Sequence, residues 1–135
     1  MVLLLSDLIH EFDARQFYYF EGYGEQLLIL NMPNENDPAD VVNTMVEFHD
    51  DMMSPSAMVL DIEEEFYLTA AQVCNTLNAG TRWYKHFVQE TPEGKLQVCI
   101  AADYIAKELM SDRAFDLLMD FVRHMYEVKA FVLNG

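Results

Sequence analysis

The fold is decided by the stretch LTAAQVCNTLNAGTRWYKHFVQETPEGKLQVCIAAD, residues Leu68–Asp103. Its first part places apolar residues three and four positions apart, which predicts a helix over Thr69–Asn78. Gly80 follows at the position where a glycine commonly ends a helix. The apolar positions of this helix are Ala70, Val73 and Leu77.

Two strands and a tight turn follow this helix. The segment Thr81–Glu90 alternates between two faces, and Leu96–Ala102 alternates in the same way, with the period of a half-buried strand. Between them, Thr91–Gly94 has proline at the second and glycine at the fourth position of a β-turn. We therefore predict an antiparallel hairpin. We expect Trp83 in its core, where replacing a buried indole with alanine costs about 3–5 kcal/mol. The first strand divides into Trp83, Lys85, Phe87 and Gln89 on one face and Arg82, Tyr84, His86 and Val88 on the other.

The length and composition predict one domain, residues 1–135, with a real hydrophobic core. The chain is 52% apolar, which argues against disorder. Its apolar start, Met1–Leu5, is too short for a membrane span or a secretory signal, and acidic residues follow it at once. Cys74 and Cys99 have no disulfide or metal-binding spacing, so we expect a reduced, cytoplasmic protein.

The charge is strongly negative and unevenly distributed. The formal net charge is −15, and between Gln16 and Thr81 there is no Lys or Arg. Such a chain repels phosphate groups, so we expect no nucleic-acid partner and no anionic membrane surface as a partner. The acidic first half either steers a basic partner or forms a solvated surface, and the second explanation is the simpler one.

The N-terminal third predicts one helix and two strands. Ser6–Ala14 has a helical apolar face, with Ser6 available as its N-cap. Phe17–Glu21 and Gln26–Met32 have strand composition, and the turn between them is Gly22-Tyr23-Gly24. Asn31–Asp40 contains two prolines and is predicted to be a polar loop.

The segment Val41–Asp50 fits two structures. Asp37-Pro38 resembles a helix start and the apolar residues have helical spacing, but they also alternate and are often β-branched. After it, Met52–Ser56 is predicted to be a loop because of Pro55, and Met58–Ile62 a short strand. Glu63-Glu64-Glu65 then bring negative charge to the start of the central helix, where it is favourable.

The end of the chain predicts a connector and a long helix. Tyr104–Met110 is the connector, Ser111 is placed to cap the helix, and Ala130–Gly135 is expected to be a tail. The apolar stripe of this helix consists of Ala114, Leu118, Phe121, Met125 and Val128, widened by Phe115 and Val122. Together these elements predict an α+β fold: a twisted, largely antiparallel sheet packed by a central and a C-terminal helix.

Catalytic chemistry is not indicated by any motif. There is no glycine-rich phosphate loop and no nucleophile elbow, and the histidines are scattered at His10, His49, His86 and His124. The best metal candidate is His49-Asp50-Asp51, but adjacent side chains rarely converge on one ion, and a solvated acidic turn explains them more simply. We therefore expect no catalytic residue, no metal and no cofactor.

Methionine is the residue type that suggests binding. Of nine methionines, four gather around the acidic middle: Met45, Met52, Met53 and Met58. Methionine side chains are flexible and polarisable, and they recur on surfaces that accommodate varied apolar partners. These four residues are predicted to bind a partner, with core filling as the competing explanation.

The order of elements resembles the YbjN-like family, whose members are described as bacterial sensory transduction regulators. The residues that carry the resemblance are Val73-Cys74-Asn75-Thr76-Leu77-Asn78, Trp83 to Val88, Gly94 to Ala102 and Ser111 to Phe121. They cover about the second half of the chain. The resemblance implies a fold similar to class I type III secretion chaperones, a small α+β dimer and no catalytic activity. It also favours a strand for Val41–Asp50.

These observations together predict a protein-binding module, either a chaperone-like adaptor or a regulatory protein. The alternative is a small-ligand sensor or an enzyme with a pocket between the sheet and the C-terminal helix. A homodimer is also predicted, because the helix Thr69–Asn78 is apolar on more than one side. Ala71 and Cys74 are expected at the dimer interface.

Overall fold

The computed structural model describes residues 2–17, 19–21 and 26–134, and of Phe20 only the backbone. The elements, in chain order, are α1 Leu5–Ala14, β1 Phe20–Glu21, β2 Leu27–Leu30, β3 Pro33–Asn34, β4 Asp37–Val41, β5 Thr44–His49, β6 Met52–Ile62, a 3-10 turn Glu64–Phe66, α2 Tyr67–Ala79, β7 Lys85–Glu90, β8 Leu96–Ala101, β9 Tyr104–Ile105 and α3 Ser111–Asn134. The fold is α+β, as the sequence predicted.

The main sheet is antiparallel throughout the described strands. Its order is β1-β2-β5-β6-β8-β7, and the short β9 pairs with the beginning of β6. A separate two-stranded sheet is formed by β3 and β4. The hairpin of β7 and β8 has the predicted turn, in which the Gly94 amide donates to the Thr91 carbonyl oxygen at 2.9 Å. Gly94 adopts φ +83°, a left-handed conformation that glycine accepts without strain.

The helices lie on one face of the sheet and bury two clusters of side chains. In the first cluster, α1 and the start of α3 pack on β2 and β5. In the second, α2 and the remainder of α3 pack on β6 and β8. The predicted stripe of α3 is buried along its whole length, and Leu118, Phe121 and Met125 have no exposed surface. Burial of this stripe stabilises the fold, because each large apolar side chain removed from water contributes about 1.5–3 kcal/mol.

The ambiguous segment is a strand. Thr44, Val46 and Phe48 are buried while the residues between them are not, so β5 has one face toward the helices. The prediction of a loop at Met52–Ser56 is wrong, because β6 runs unbroken from Met52 to Ile62. Pro55 is accommodated because it lies where the neighbour of β6 changes from β9 to β8, and its carbonyl oxygen accepts from the Ala102 amide at 3.0 Å. The missing N–H of Pro55 thus faces a gap in the pairing.

The predicted polar loop Asn31–Asp40 contains the β3–β4 hairpin. Contacts with α3 hold it: the Tyr126 hydroxyl donates to the Met32 carbonyl oxygen and accepts from the Val42 amide, and Lys129 pairs with Asp40. These contacts join residues that are far apart in sequence. For this reason, no local pattern in the sequence showed the hairpin.

Two helix ends differ from the predictions. The helix α3 continues through Asn134, so residues 130–134 of the predicted tail Ala130–Gly135 are helical; Val132 packs against the core and holds this last turn. Ser6 is not the N-cap of α1, because the helix begins at Leu5 and the Asp7 carboxylate accepts from the Leu4 amide at 2.9 Å. The predicted turn at Gly22-Tyr23-Gly24 lies outside the described residues.

The expectation for Trp83 is also wrong. Its side chain is 74% exposed and lies before β7 begins. The other face of the predicted strand, with Tyr84, His86 and Val88, is the one that packs against the helices. Alternation correctly separated the two faces but did not show which was buried.

Candidate functional site

The candidate site is the face of the main sheet opposite the helices, here called the open face. The side chains of Phe87, Cys99 and Met58 occupy neighbouring register positions on β7, β8 and β6. On β5 and β2, Met45 and Ile29 are register partners of each other, and Met45 lies opposite Ser56, two residues before Met58. We call these five residues the apolar belt. Met58 is 47% exposed on an inner strand and Phe87 is 39% exposed on the edge strand β7, so the belt presents apolar surface to solvent.

Polar side chains border the belt on one side as a short ladder. Gln89 donates to Gln97 at 3.3 Å, and Gln97 donates to Asp61 at 3.0 Å. These cross-strand hydrogen bonds fix the side chains of three adjacent strands. The belt therefore ends at an ordered polar border.

A second polar group lies on the other side of the belt. The Ser54 hydroxyl donates to Asp103 at 2.6 Å and lies 3.2 Å from His49 Nε2, while Lys85 lies 3.9 Å from Asp103. The residue types resemble a catalytic triad, but the connections differ. Because the Ser54 proton goes to the carboxylate, His49 must donate to Ser54 and does not act as its base. This arrangement does not activate Ser54 as a nucleophile.

The predicted partner-binding methionines divide between the two faces. Met45 and Met58 belong to the apolar belt, and Met52 is partly exposed on β6 opposite His49. Met53 has no exposed surface and packs in the core beneath α1 and α3, so its prediction as a partner-binding residue is wrong. The period of two along β6 puts Met53 on the helix-facing side.

The predicted dimer-interface residues both lie on α2. Cys74 is 3% exposed and packs within the chain's own core, so it does not line an interface with a second copy, and that prediction is wrong. Ala71 is partly exposed. Burial raises the pKa of the Cys74 and Cys99 thiols, and that of Cys99 reaches about 11. Both thiols are therefore protonated and unreactive at neutral pH, as expected of small buried apolar residues.

The sequence predictions missed the contact between His86 and His124. His86 is 2% exposed, and its Nε2 lies 2.8 Å from Nε2 of His124 on α3. The Asn78 side chain on α2 bonds to the His86 amide at 2.7 Å, to its carbonyl oxygen at 2.8 Å and to Nδ1 at 2.8 Å. Tyr84 stacks on the His124 ring with centroids 4.2 Å apart. One asparagine and two imidazoles thus join β7 to both α2 and α3.

The environment keeps both rings neutral. Burial lowers the pKa of His86 to about 4, and the neighbouring His124 adds to the effect. Burial also lowers the pKa of His124, although Glu127 opposes this shift. The sequence did place His86 on a partly apolar face with Tyr84 and Val88, and this placement indicated that the ring could be buried. Its pairing with a residue 38 positions away was not visible.

The described residues contain no cluster of side chains suited to a metal ion. Among residues 2–17, 19–21 and 26–134, no three His, Cys, Asp or Glu side chains converge in a way that would hold a metal ion. The sequence candidate His49-Asp50-Asp51 is divided by the turn after β5, where Asp50 adopts φ 52°. The His49 ring is turned toward Ser54.

Two clefts are lined by residues outside the apolar belt. One, of about 750 Å³, lies between the β3–β4 hairpin and α3 and has Met119, Tyr126 and Phe17 among its apolar walls and Arg123 among its polar ones. The other, of about 860 Å³, lies beside the start of α2. Its acidic lining consists of Asp61, Glu63, Glu64, Glu65 and Glu90. The charged triplet Glu63–Glu65 thus precedes α2 as predicted and stays solvated there.

No family model and no curated protein matches this chain. Its α+β architecture is nevertheless that of a known bacterial fold. The crystal structure of YbjN from E. coli, a proposed transcription regulator, is similar to it with a TM-score of 0.70. The sequences are 21% identical, and the similarity covers 98% of this chain and 90% of the YbjN chain. The resemblance noted in the sequence is therefore confirmed at the level of the fold.

Membrane spanning by a helix is not supported. None of the helices in the part of the chain that the structure describes combines the length and the apolar character needed to cross a bilayer.

Proposed function

We propose that this chain is a non-enzymatic protein-binding module, a chaperone-like adaptor or regulatory protein, that holds its partner on the open face of the sheet. The observation that carries the proposal is the apolar belt, which has residues on five strands and exposes Met58 and Phe87. The YbjN fold supports a regulatory role, since YbjN is a proposed transcription regulator.

The composition of the open face is that of a protein interface. Protein-binding patches have an apolar centre with aromatic residues and methionine, and a polar border that stays solvated. Here the centre has Phe87 and two methionines, and the borders are the glutamine ladder and the group around Ser54. Methionine at the centre lets the surface adapt to partners of different shape. A small ligand would instead favour a concave site.

The cleft between the β3–β4 hairpin and α3 favours a second candidate function, the binding of a small apolar ligand. Its walls include Met119 and Tyr126, and its polar lining includes Arg123, which pairs with Asp120. Ala130 also lines this cleft, and a bulky side chain there would fill it. The substitution Ala130→Trp should abolish small-ligand binding but leave partner binding on the open face intact.

Affinity capture with matched variants tests the proposal. The wild-type chain and its Phe87→Asp and Met58→Asp variants are used as bait in native cell extract, and retained proteins are identified by mass spectrometry. We expect one partner to be retained by the wild type and lost by both variants, because a buried, unpaired carboxylate opposes the interface. Leu133→Asp on α3 is the control, since Leu133 is 65% exposed on the helical side.

The proposal is contradicted if the variants retain every protein that the wild type retains. Circular dichroism of each variant confirms that the comparison is between folded proteins. A partner lost by Ala130→Trp and retained by the open-face variants would favour the cleft instead.

A further inference from the structure

The contact between His86 and His124 attaches β7, the edge strand of the sheet, to α3. β7 pairs with β8 on one side only, and on its other side four polar atoms of His86 are bonded to the helices. Asn78 of α2 engages the His86 amide, carbonyl oxygen and Nδ1, and His124 of α3 engages Nε2. The next residue on β7 is Phe87 of the apolar belt. The position of this belt residue therefore depends on what His86 contacts.

The chemistry of this contact depends on a single proton. Because Asn78 Oδ1 accepts from the His86 amide, it also accepts from His86 Nδ1, so Nδ1 carries the proton and Nε2 does not. His124 must then donate from its Nε2 across the 2.8 Å between the rings. A proton added to His124 Nδ1 is tolerated, since that atom lies 4.0 Å from the Glu127 carboxylate. Once His124 carries both protons, a proton added to His86 Nε2 sets two N–H groups against each other.

The surroundings offer little to stabilise a second positive charge. On α2 the facing group is the uncharged Asn78, and on β8 it is Ile100, the register partner of His86. On α3 the charged groups nearby are Asp120, Arg123 and Glu127, of which Asp120 and Arg123 pair with each other at 3.0 Å. Tyr84, which immediately precedes β7, covers one face of the His124 ring, and Tyr104 of β9 contacts Tyr84.

We propose that the His86–His124 pair is a proton-operated latch on β7: it is closed while His86 is neutral, and it opens when both rings are protonated. Opening releases the outer side of β7 and with it Phe87. Acid therefore lowers the affinity of the open face for its partner. This last step rests on the proposed function. The latch itself rests on the geometry of the two rings alone.

Nuclear magnetic resonance of the full chain tests the latch. Ring ¹⁵N shifts show which nitrogen of each histidine carries a proton between pH 7.5 and pH 4. Amide hydrogen exchange of His86 and Phe87, taken as a ratio to Val46 of β5, reports the opening of β7 and cancels the intrinsic pH dependence of exchange. The pKa of His86 is about 4 in the closed form and 6.5 when the ring is free. The ratio should therefore rise by about tenfold for each pH unit across that range.

Three substitutions make the test specific. His124→Phe keeps a ring against Tyr84 but removes the donor, so the exchange ratio should already be high at pH 7.5. His86→Gln keeps a neutral acceptor that does not titrate, so the pH dependence should vanish. His10→Gln, at an exposed position on α1, should leave the exchange ratio unchanged at every pH. If His86→Gln fails to fold, His124→Phe and the wild type decide the matter.

The latch is overturned if His86 Nε2 is protonated at pH 7.5, or if β7 and β5 exchange in parallel at every pH. Partner retention at pH 7.5 and pH 5 separates the two proposals. An exchange ratio that rises in acid without any effect of Phe87→Asp on retention refutes the function and leaves the latch standing. Parallel exchange with full loss of retention in Phe87→Asp refutes the latch and leaves the function standing.

Discussion

Trp83 and Phe121 are two aromatic residues with opposite environments. Trp83 is 74% exposed, whereas Phe121 has no exposed surface and packs against the Tyr84 ring with centroids 5.9 Å apart. Replacing Trp83 with alanine should change the free energy of unfolding by no more than about 0.5 kcal/mol. Phe121→Ala should cost about 3–5 kcal/mol, since it removes a large buried side chain and leaves a cavity. Urea denaturation of both variants measures the difference, and a loss above about 2 kcal/mol for Trp83→Ala would contradict its exposed position.

The two asparagines of α2 provide a second comparison at the same scale. Both are exposed, but Asn78 bonds to the backbone and ring of His86, whereas Asn75 has no side-chain hydrogen bond among those of the described residues. Asn78→Ala removes the partner of two partly buried backbone groups of His86, so it should cost about 1–3 kcal/mol. Asn75→Ala should be nearly neutral. Equal effects of the two substitutions on the midpoint of urea denaturation would show that the contacts of Asn78 contribute nothing.

At the scale of elements, the attachment of β7 to α3 makes stability depend on pH. The pKa of His86 is about 4 in the folded chain and 6.5 when unfolded, so the unfolded chain binds more protons between these values. The stabilisation is therefore complete above pH 6.5 and is lost as pH falls toward 4, by at most about 3 kcal/mol. Urea denaturation at pH 7.5, 6, 5 and 4 measures the loss. His86→Gln should flatten the curve above pH 4.5, and an equally steep curve in that variant would assign the effect to other groups.

At the scale of the whole molecule, we expect a homodimer, and the start of α2 is where apolar surface is available. Phe66, Tyr67 and Leu68 are 54%, 45% and 73% exposed, and such a run of exposed large residues is typical of an interface. Two chains of net charge −15 repel each other, so association should strengthen as salt screens the repulsion. Sedimentation equilibrium at low and moderate salt measures this.

The variant Leu68→Ser should weaken the dimer, and Leu133→Ser, at a residue that is 65% exposed on α3, is its control. A mass near 15.7 kDa for the wild type at micromolar concentration in both buffers would show a monomer.

Local patterns in the sequence determined the elements whose cause is local. The turn Thr91–Gly94 set the hairpin, because proline and glycine fix the backbone angles that a tight turn needs. The stripe from Ala114 to Val128 set the buried face of α3, because one helix face repeats every 3.6 residues. The same reasoning separated the two faces of β7. Composition named four methionines together, of which Met45, Met52 and Met58 are not buried in the core and Met53 is.

Only the tertiary structure decided which faces are buried and which distant residues meet. Period two is symmetric, so Trp83 and Tyr84 were equally good core candidates until α2 and α3 covered one side of the sheet. Pro55 ended a strand by local rules, yet β6 continues through it because its neighbouring strand changes at that point. The pairing of His86 with His124 depends on how α3 crosses the sheet. The physical cause of this pairing is packing between elements. The residues next to either histidine in the sequence do not show it.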